Sequence, residues 1–169
     1  MSLRLNAKGR DAQHILSELE KLDRSRVHYA DFSFSSHTTE NILKIIKMLP
    51  NCRLVNLTGL SLDTSALTVI RELVRMRNMD FVIVCLTALA SSFCWRAYDL
   101  LTKYELQKIV FVPTRAKLEK GDWRSMVHNK DKHSVVEKAH TYFFDNYLQM
   151  AKRVEETVAE AMGMSAPTP

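Results

Sequence analysis

The sequence predicts an α/β fold of parallel strands that alternate with helices, arranged as repeated strand–helix units in a short solenoid and followed by an added C-terminal helix. Two observations predict it. Four apolar segments begin at Val27, Cys52, Met79 and Leu106, at nearly equal intervals along the chain. The segments between them carry apolar residues at spacings of three and four, which is typical of a helix with one buried face.

The four apolar segments are rich in β-branched, aromatic and long apolar residues, which favour strands. The predicted strands are Val27–Phe34, Cys52–Leu57, Met79–Leu86 and Leu106–Val112. The later segments begin at a constant interval along the chain. The same interval counted back from Phe32 gives Leu5, and counted back from Ala30 it gives Leu3. We therefore predict a short fifth strand at the N-terminus.

The helical segments share one register with the strands. Each of four units has apolar or aromatic residues at three matching helix positions, and the first helix is predicted from about Asp11 to Leu22. The matching positions are Ile15, Leu19 and Leu22; Ile42, Ile46 and Leu49; Leu67, Ile70 and Val74; and Cys94, Tyr98 and Leu101. Asp63-Thr64-Ser65 and Ser91-Ser92 precede the third and fourth helices and are predicted to supply N-caps.

The repeat predicts four regions along the chain. Residues 1–114 form the strand–helix domain, and 115–133 form a basic loop, because Gly121 stands where earlier units have an apolar helix position. Ser134 and Glu137 form a capping box that opens an amphipathic helix over 134–162, and 163–169 form a flexible tail. Its apolar stripe fits packing on the chain's own sheet or on a partner.

The rows of the repeat follow the pattern L-x-x-L-x-L, and three residues later comes Ser35, Leu60, Thr87 or Thr114. The pattern resembles the leucine-rich repeat, and the unit length is similar to that of the ribonuclease-inhibitor-like subclass. The segment from Pro50 to Asp63 carries the resemblance most clearly. The resemblance implies a protein–protein interaction module, in which Asn, Cys or Thr at the last position of each row satisfies backbone groups.

A second resemblance competes with the first. The segment Leu62-Asp63-Thr64-Ser65-Ala66-Leu67 is similar to the strand-to-helix turn of the STAS domain, the fold of anti-sigma-factor antagonists. This resemblance implies a binding switch regulated by phosphorylation, with Thr64 at the regulatory position. That family usually begins with a hairpin, whereas this sequence offers a helix after the first predicted strand.

Alternation along the strands predicts a partner-binding surface on the sheet face away from the helices. Two columns of residues between the buried rows form it. They are Tyr29, Leu54, Phe81 and Lys108, and Asp31, Asn56, Ile83 and Val110. Because the last strands are apolar on both faces, we expect either a cover or a partner over them.

The basic loop predicts an alternative function, contact with RNA within a ribonucleoprotein. Cations surround one tryptophan, which fits phosphate neutralisation and base stacking. The candidate contacts are Arg115, Lys117, Lys120, Trp123, Arg124, Lys130 and Lys132.

Composition favours an intracellular, non-enzymatic protein whose partners are other protein subunits. The net charge is +5, and the three cysteines, Cys52, Cys85 and Cys94, show no CxxC pair. No phosphate-binding loop, nucleophile elbow, metal-ligand spacing or membrane-length apolar run is present in the sequence. We expect no cofactor, metal or small-molecule substrate. The predicted compartment is the cytoplasm, and the basic residues 1–10 offer mitochondrial targeting as the alternative.

Overall fold

The computed structural model describes residues 3–7, 9–60, 62, 66–86 and 96–113. It also describes ten helical positions between 142 and 159, namely 142, 145, 146, 149, 152, 153, 155–157 and 159.

Five parallel strands form one sheet, in the order in which they occur along the chain. They are β1 (Leu3–Asn6), β2 (Val27–Asp31), β3 (Leu54–Asn56), β4 (Phe81–Leu86) and β5 (Ile109–Pro113). Every neighbouring pair is parallel. The predicted α/β class with a parallel sheet is confirmed.

The helices join successive strands. They are α1 (Ala12–Leu19), α2 (Thr39–Ile46), α3 (Leu67–Arg75), α4 (described over 96–100) and α5 (Lys103–Leu106), and a 3-10 turn covers Arg24–Arg26. Helix α1 packs on α2, and α2 packs on α3. Connections between parallel strands are right-handed. Because the strands follow one another across the sheet in chain order, the connecting helices lie on the same face of the sheet.

The core lies between this helix layer and the sheet. Nearly all of the predicted strand and helix rows are buried wherever the structure describes their side chains, including Ala30, Val55, Val82 and Ile109 at 0% exposure. One position is wrong: Leu22 is 50% exposed, because α1 ends at Leu19 and the chain turns before reaching it.

The register of β1 also corrects the prediction. Leu5 pairs with Ala30, and Ala30 pairs with Val55, so the first unit has the same length as the second. The proposed match of Leu3 to Ala30 is wrong, because Leu3 pairs with Val27 and Leu5 takes the place opposite Ala30. A shift of two keeps each side chain on the same sheet face, which is why Leu5 is still buried. The longer intervals from β3 to β4 and from β4 to β5 are as predicted.

Side-chain caps begin three of the helices. Asp11 accepts from the backbone N–H of His14 at 2.8 Å, and Thr38 accepts from that of Asn41 at 3.2 Å. Thr102 and Glu105 form a reciprocal capping box at α5. Helix α3 begins after Ala66 without a side-chain cap, and the predicted caps at 63–65 and 91–92 lie outside the described residues.

The described C-terminal helical residues contact the last strand–helix units of the same chain. Asn146 is buried, and its Nδ2 donates to the carbonyl oxygen of Ile109 at 3.2 Å. Tyr142 lies 5.6 Å from Tyr98 between ring centroids, and the Arg153 guanidinium lies 5.6 Å from the Phe81 ring centroid. The predicted apolar stripe of this helix (Val136, Ala139, Phe143, Tyr147, Met150, Val154 and Val158) lies outside the described side chains.

Candidate functional site

The sheet face predicted to bind a partner is mostly buried. Tyr29, Asp31, Leu54, Phe81, Ile83 and Val110 are each less than 9% exposed, and Asn56 and Lys108 are half-buried. A parallel sheet is normally covered on both faces, and this one follows that rule at these positions. The predicted alignment of these residues across neighbouring strands is confirmed, because Tyr29 pairs with Leu54 and Leu54 pairs with Phe81. Whether a partner ever contacts them stays a prediction.

Lys108 is directed away from its predicted place on this face. Its Nζ donates to the carbonyl oxygen of Val74 at the end of α3, at 3.1 Å, and lies 4.8 Å from the ring centroid of Tyr104. Lys108 precedes the first residue of β5, so its flexible side chain reaches the end of the helix layer.

A polar cluster occupies the β1–β3 half of the same face. The guanidinium of Arg4 pairs with the carboxylate of Asp31 and lies 5.1 Å from the ring centroid of Tyr29. Burial raises the pKa of the Tyr29 hydroxyl, which accepts a long hydrogen bond of 3.4 Å from Asn56. The polar side chains on this buried face are therefore satisfied by an ion pair and by hydrogen bonds.

Asp31 and Asn56 have the same local role in successive units. Each side-chain Oδ1 accepts from the backbone N–H two residues later, Ser33 or Thr58, at 2.9 Å. These are Asx turns, which redirect the chain as it leaves a strand. The leucine-rich-repeat resemblance places such a role at Ser35 and Leu60 instead. Among the described residues the buried Ser35 Oγ has no hydrogen-bond partner, and Leu60 packs on the core.

One corner is repeated where the first three strands end. Backbone N–H groups of Arg10, Ser35 and Leu60 each donate to the carbonyl three residues earlier, at 3.2–3.3 Å. The third residue of each turn has a positive φ: Gly9 at 73°, Phe34 at 54° and Gly59 at 84°. We call these residues the corner positions. They recur at equal intervals along the chain, so the three units share one turn geometry.

Phe34 is the exception among the corner positions. A bulky residue in the left-handed region is a conformational outlier, and such strain persists only where the surrounding structure enforces it. The Phe34 ring nevertheless stays 65% exposed. It lies against Gly59, where an added Cβ would come within 2.6 Å of Phe34 Cε1. Gly59 therefore makes room for the ring.

A shallow cleft of about 450 Å³ adjoins this corner at the C-terminal ends of β2 and β3. Residues 35–40 line one side, and Gly59, Leu60, Leu62 and Ala66 line the other. His37 is half-buried, with its Nε2 3.2 Å from the carbonyl oxygen of Ala7 and its ring edge-on to Phe32. These contacts give His37 a structural role in the turn before α2.

A buried ion cluster that was not singled out in the sequence joins α3 to α5. Glu105 is 3% exposed, and its Oε2 accepts from Arg71 Nε at 3.1 Å and Arg75 Nε at 2.8 Å. Burial alone would raise the pKa of Glu105, but hydrogen bonds from Thr102, Arg71 and Arg75 outweigh it and lower the pKa to about 2. The group is therefore a buried anion that is well satisfied, and its role is structural.

Other predicted site residues lie outside the described part of the chain. They are Thr64, Arg115, Lys117, Lys120, Trp123, Arg124, Lys130 and Lys132. The regulatory and RNA-binding hypotheses stay predictions. Cys52 is a buried free thiol whose pKa burial raises to about 12, so it behaves as a small apolar residue.

Among the residues that the structure describes, no three His, Cys, Asp or Glu side chains converge in a way that would hold a metal ion. None of the helices in the part that the structure describes is long and apolar enough to span a membrane.

Comparison of the chain with known protein families, with characterised proteins and with solved structures gives no match.

Proposed function

We propose that this protein is a non-enzymatic interaction module that serves as an adaptor or structural subunit of a larger assembly. We further propose that it contacts its partner at the strand-exit corners, centred on Phe34, and not through the buried sheet face. The observation that carries the proposal is the exposure of a strained phenylalanine at a position where the neighbouring units have glycine.

The conformational cost of Phe34 favours a role for this residue in binding. Left-handed backbone costs a residue with a Cβ about 1–2 kcal/mol, and the Phe34 side chain is 65% exposed. Glycine would meet the same turn without this cost, as it does at Gly9 and Gly59. Exposed aromatic rings are common anchors of protein–protein interfaces, where burial in a partner's pocket stabilises the complex.

The repeat supports the leucine-rich-repeat-like interpretation over the STAS-like one. Strands β1 and β2 are parallel and joined by α1, whereas the STAS resemblance implies an opening hairpin. The corner turns recur at a fixed spacing, which is the behaviour of stacked, quasi-one-dimensional repeats. Proteins built in this way present extended surfaces to other macromolecules, which fits an adaptor.

The test replaces Phe34 by asparagine, which tolerates the left-handed region. Affinity capture of the tagged protein, quantified by mass spectrometry, should show at least about a tenfold loss of its co-purifying subunits, as for loss of an aromatic anchor. Leu22→Ala is the matched control, because Leu22 is also an exposed apolar residue, on the opposite end of the sheet. Unchanged recovery with Phe34→Asn, or equal losses for both variants, contradicts the proposal.

A further inference from the structure

A second surface lies at the opposite ends of the strands, where β4 and β5 begin. A cleft of about 220 Å³ opens there between the two strands and the C-terminal helical residues. We call it the basic cleft. Its lining residues are Arg77, Met79, Asp80, Phe81, Tyr104, Gln107, Lys108 and Arg153.

Three cations meet in this cleft, and the carboxylate beside them is already engaged. Asp80 pairs with Arg53, whose Nε lies 2.9 Å from Asp80 Oδ2. Arg77 is exposed and makes no ion pair with any residue in the described ranges. Lys108 and Arg153 lie over the rings of Tyr104 and Phe81. Arg77 and Lys108 therefore bring positive charge to the lining of the cleft.

The cleft also offers apolar contact. Tyr104 is 67% exposed and stands beside Lys108, while Phe81 forms part of the wall below Arg153. Cations next to aromatic surfaces donate hydrogen bonds to carboxylates, and the aromatic surface packs against the aliphatic part of the same acidic side chains. A chain of glutamate or aspartate residues meets both requirements.

The size of the cleft favours an acidic peptide over a nucleic acid. A volume of about 220 Å³ accommodates one or two side chains, whereas a nucleic acid strand needs a groove that follows its backbone. Arg77 has a planar guanidinium group that matches the geometry of a carboxylate.

We propose that the basic cleft binds an acidic segment of a partner protein, with Arg77 and Lys108 contacting its carboxylates and Tyr104 packing beside them. This surface is separate from the Phe34 corner, and the proposal does not depend on that corner. Its binding energy is electrostatic in large part, so it weakens as the salt concentration rises.

The probe is a fluorescein-labelled peptide of eight glutamates, and binding to the full chain is followed by fluorescence anisotropy at low and at physiological salt. We expect saturable binding that Arg77→Glu weakens by about tenfold or more, because the change replaces attraction by repulsion. Lys44→Glu is the control, since Lys44 is an exposed cation on α2 and the substitution alters net charge equally. It should weaken binding less than about twofold. Circular dichroism checks that each variant is folded, and Arg77→Gln provides a milder second variant.

Three results would overturn the proposal. The first is no binding of the glutamate peptide by the wild-type protein. The second is an equal effect of Arg77→Glu and Lys44→Glu, which would show a response to net charge alone. The third is tighter binding of a single-stranded thymidine oligonucleotide that Arg77→Glu also weakens, which would assign the cleft to nucleic acid. Phe34→Asn should leave peptide binding unchanged, so a failure at the corner and a failure at the cleft are distinguishable.

Discussion

At the scale of single residues, the corner positions show how one local geometry is met by two different residue types. Gly9 and Gly59 adopt a positive φ without strain, and Phe34 adopts it against its preference. The turn at Gly59 depends on the neighbouring turn, because the Phe34 ring occupies the space where a side chain at residue 59 would lie. Gly59 is thus required twice, for its φ and for its missing Cβ.

This double requirement predicts unequal effects of two glycine substitutions. Gly59→Ala should lower the free energy of unfolding by about 2–3 kcal/mol, since it adds a steric clash with Phe34 to left-handed strain. Gly9→Ala should lower it by about 1 kcal/mol, because nothing lies within 4 Å of an added Cβ there and only the strain remains. Urea denaturation of both variants measures the difference, and equal losses would show that Phe34 does not occupy the space beside Gly59.

Ionisation of Glu105 makes the stability of the protein depend on pH. Its pKa is about 2 in the folded protein against an ordinary value of 4.5, so its stabilising effect is present above pH 4.5. That effect is lost as the pH falls from 4.5 towards 2, because the unfolded chain binds the proton first.

Replacing Glu105 by glutamine removes the buried charge but keeps the shape. We expect a loss of about 2–3 kcal/mol at neutral pH, because Arg71 and Arg75 keep partial access to water and are not left fully buried. The loss should shrink as the pH approaches 2. Thermal unfolding of both proteins between pH 2 and 7 measures it, and a loss that is constant over that range contradicts the pKa assignment.

At the scale of elements, the sequence predicts most of the strand–helix alternation, because each element carries its own hydrophobic period. Rows such as Val27, Cys52 and Met79 are buried as the alignment requires. The first unit was misaligned because its strand is short and a shift of two residues leaves the buried face unchanged. That misalignment placed Gly9 opposite Ser36 and concealed the column that Gly9 forms with Phe34 and Gly59.

The ion cluster at α5 shows a different limit. The capping box of Thr102 and Glu105 can be recognised from its spacing alone, since both residues lie within one helical turn. The pairing of Glu105 with Arg71 and Arg75 spans 34 and 30 residues and depends on how α3 packs beside α5. No local pattern contains that information.

At the scale of the whole molecule, the sheet face and the strand ends have different accessibility. Alternation correctly separates the two faces of the sheet, but it does not reveal what covers them. The described C-terminal residues contribute to the cover at Phe81 and at the β5 backbone. The strand ends carry the exposed features instead, with Phe34 at one end and the basic cleft at the other.

We propose that this chain acts as a subunit of a larger assembly through its Phe34 corner. The most direct measurement is the size at which the tagged protein elutes from a nuclease-treated extract of its own cells, compared with the purified chain of 19.5 kDa. We expect elution at a much larger mass for the wild type and near the monomer for a folded Phe34→Asn variant. Elution of the wild type at the monomer position, or no change on substitution of Phe34, would contradict it.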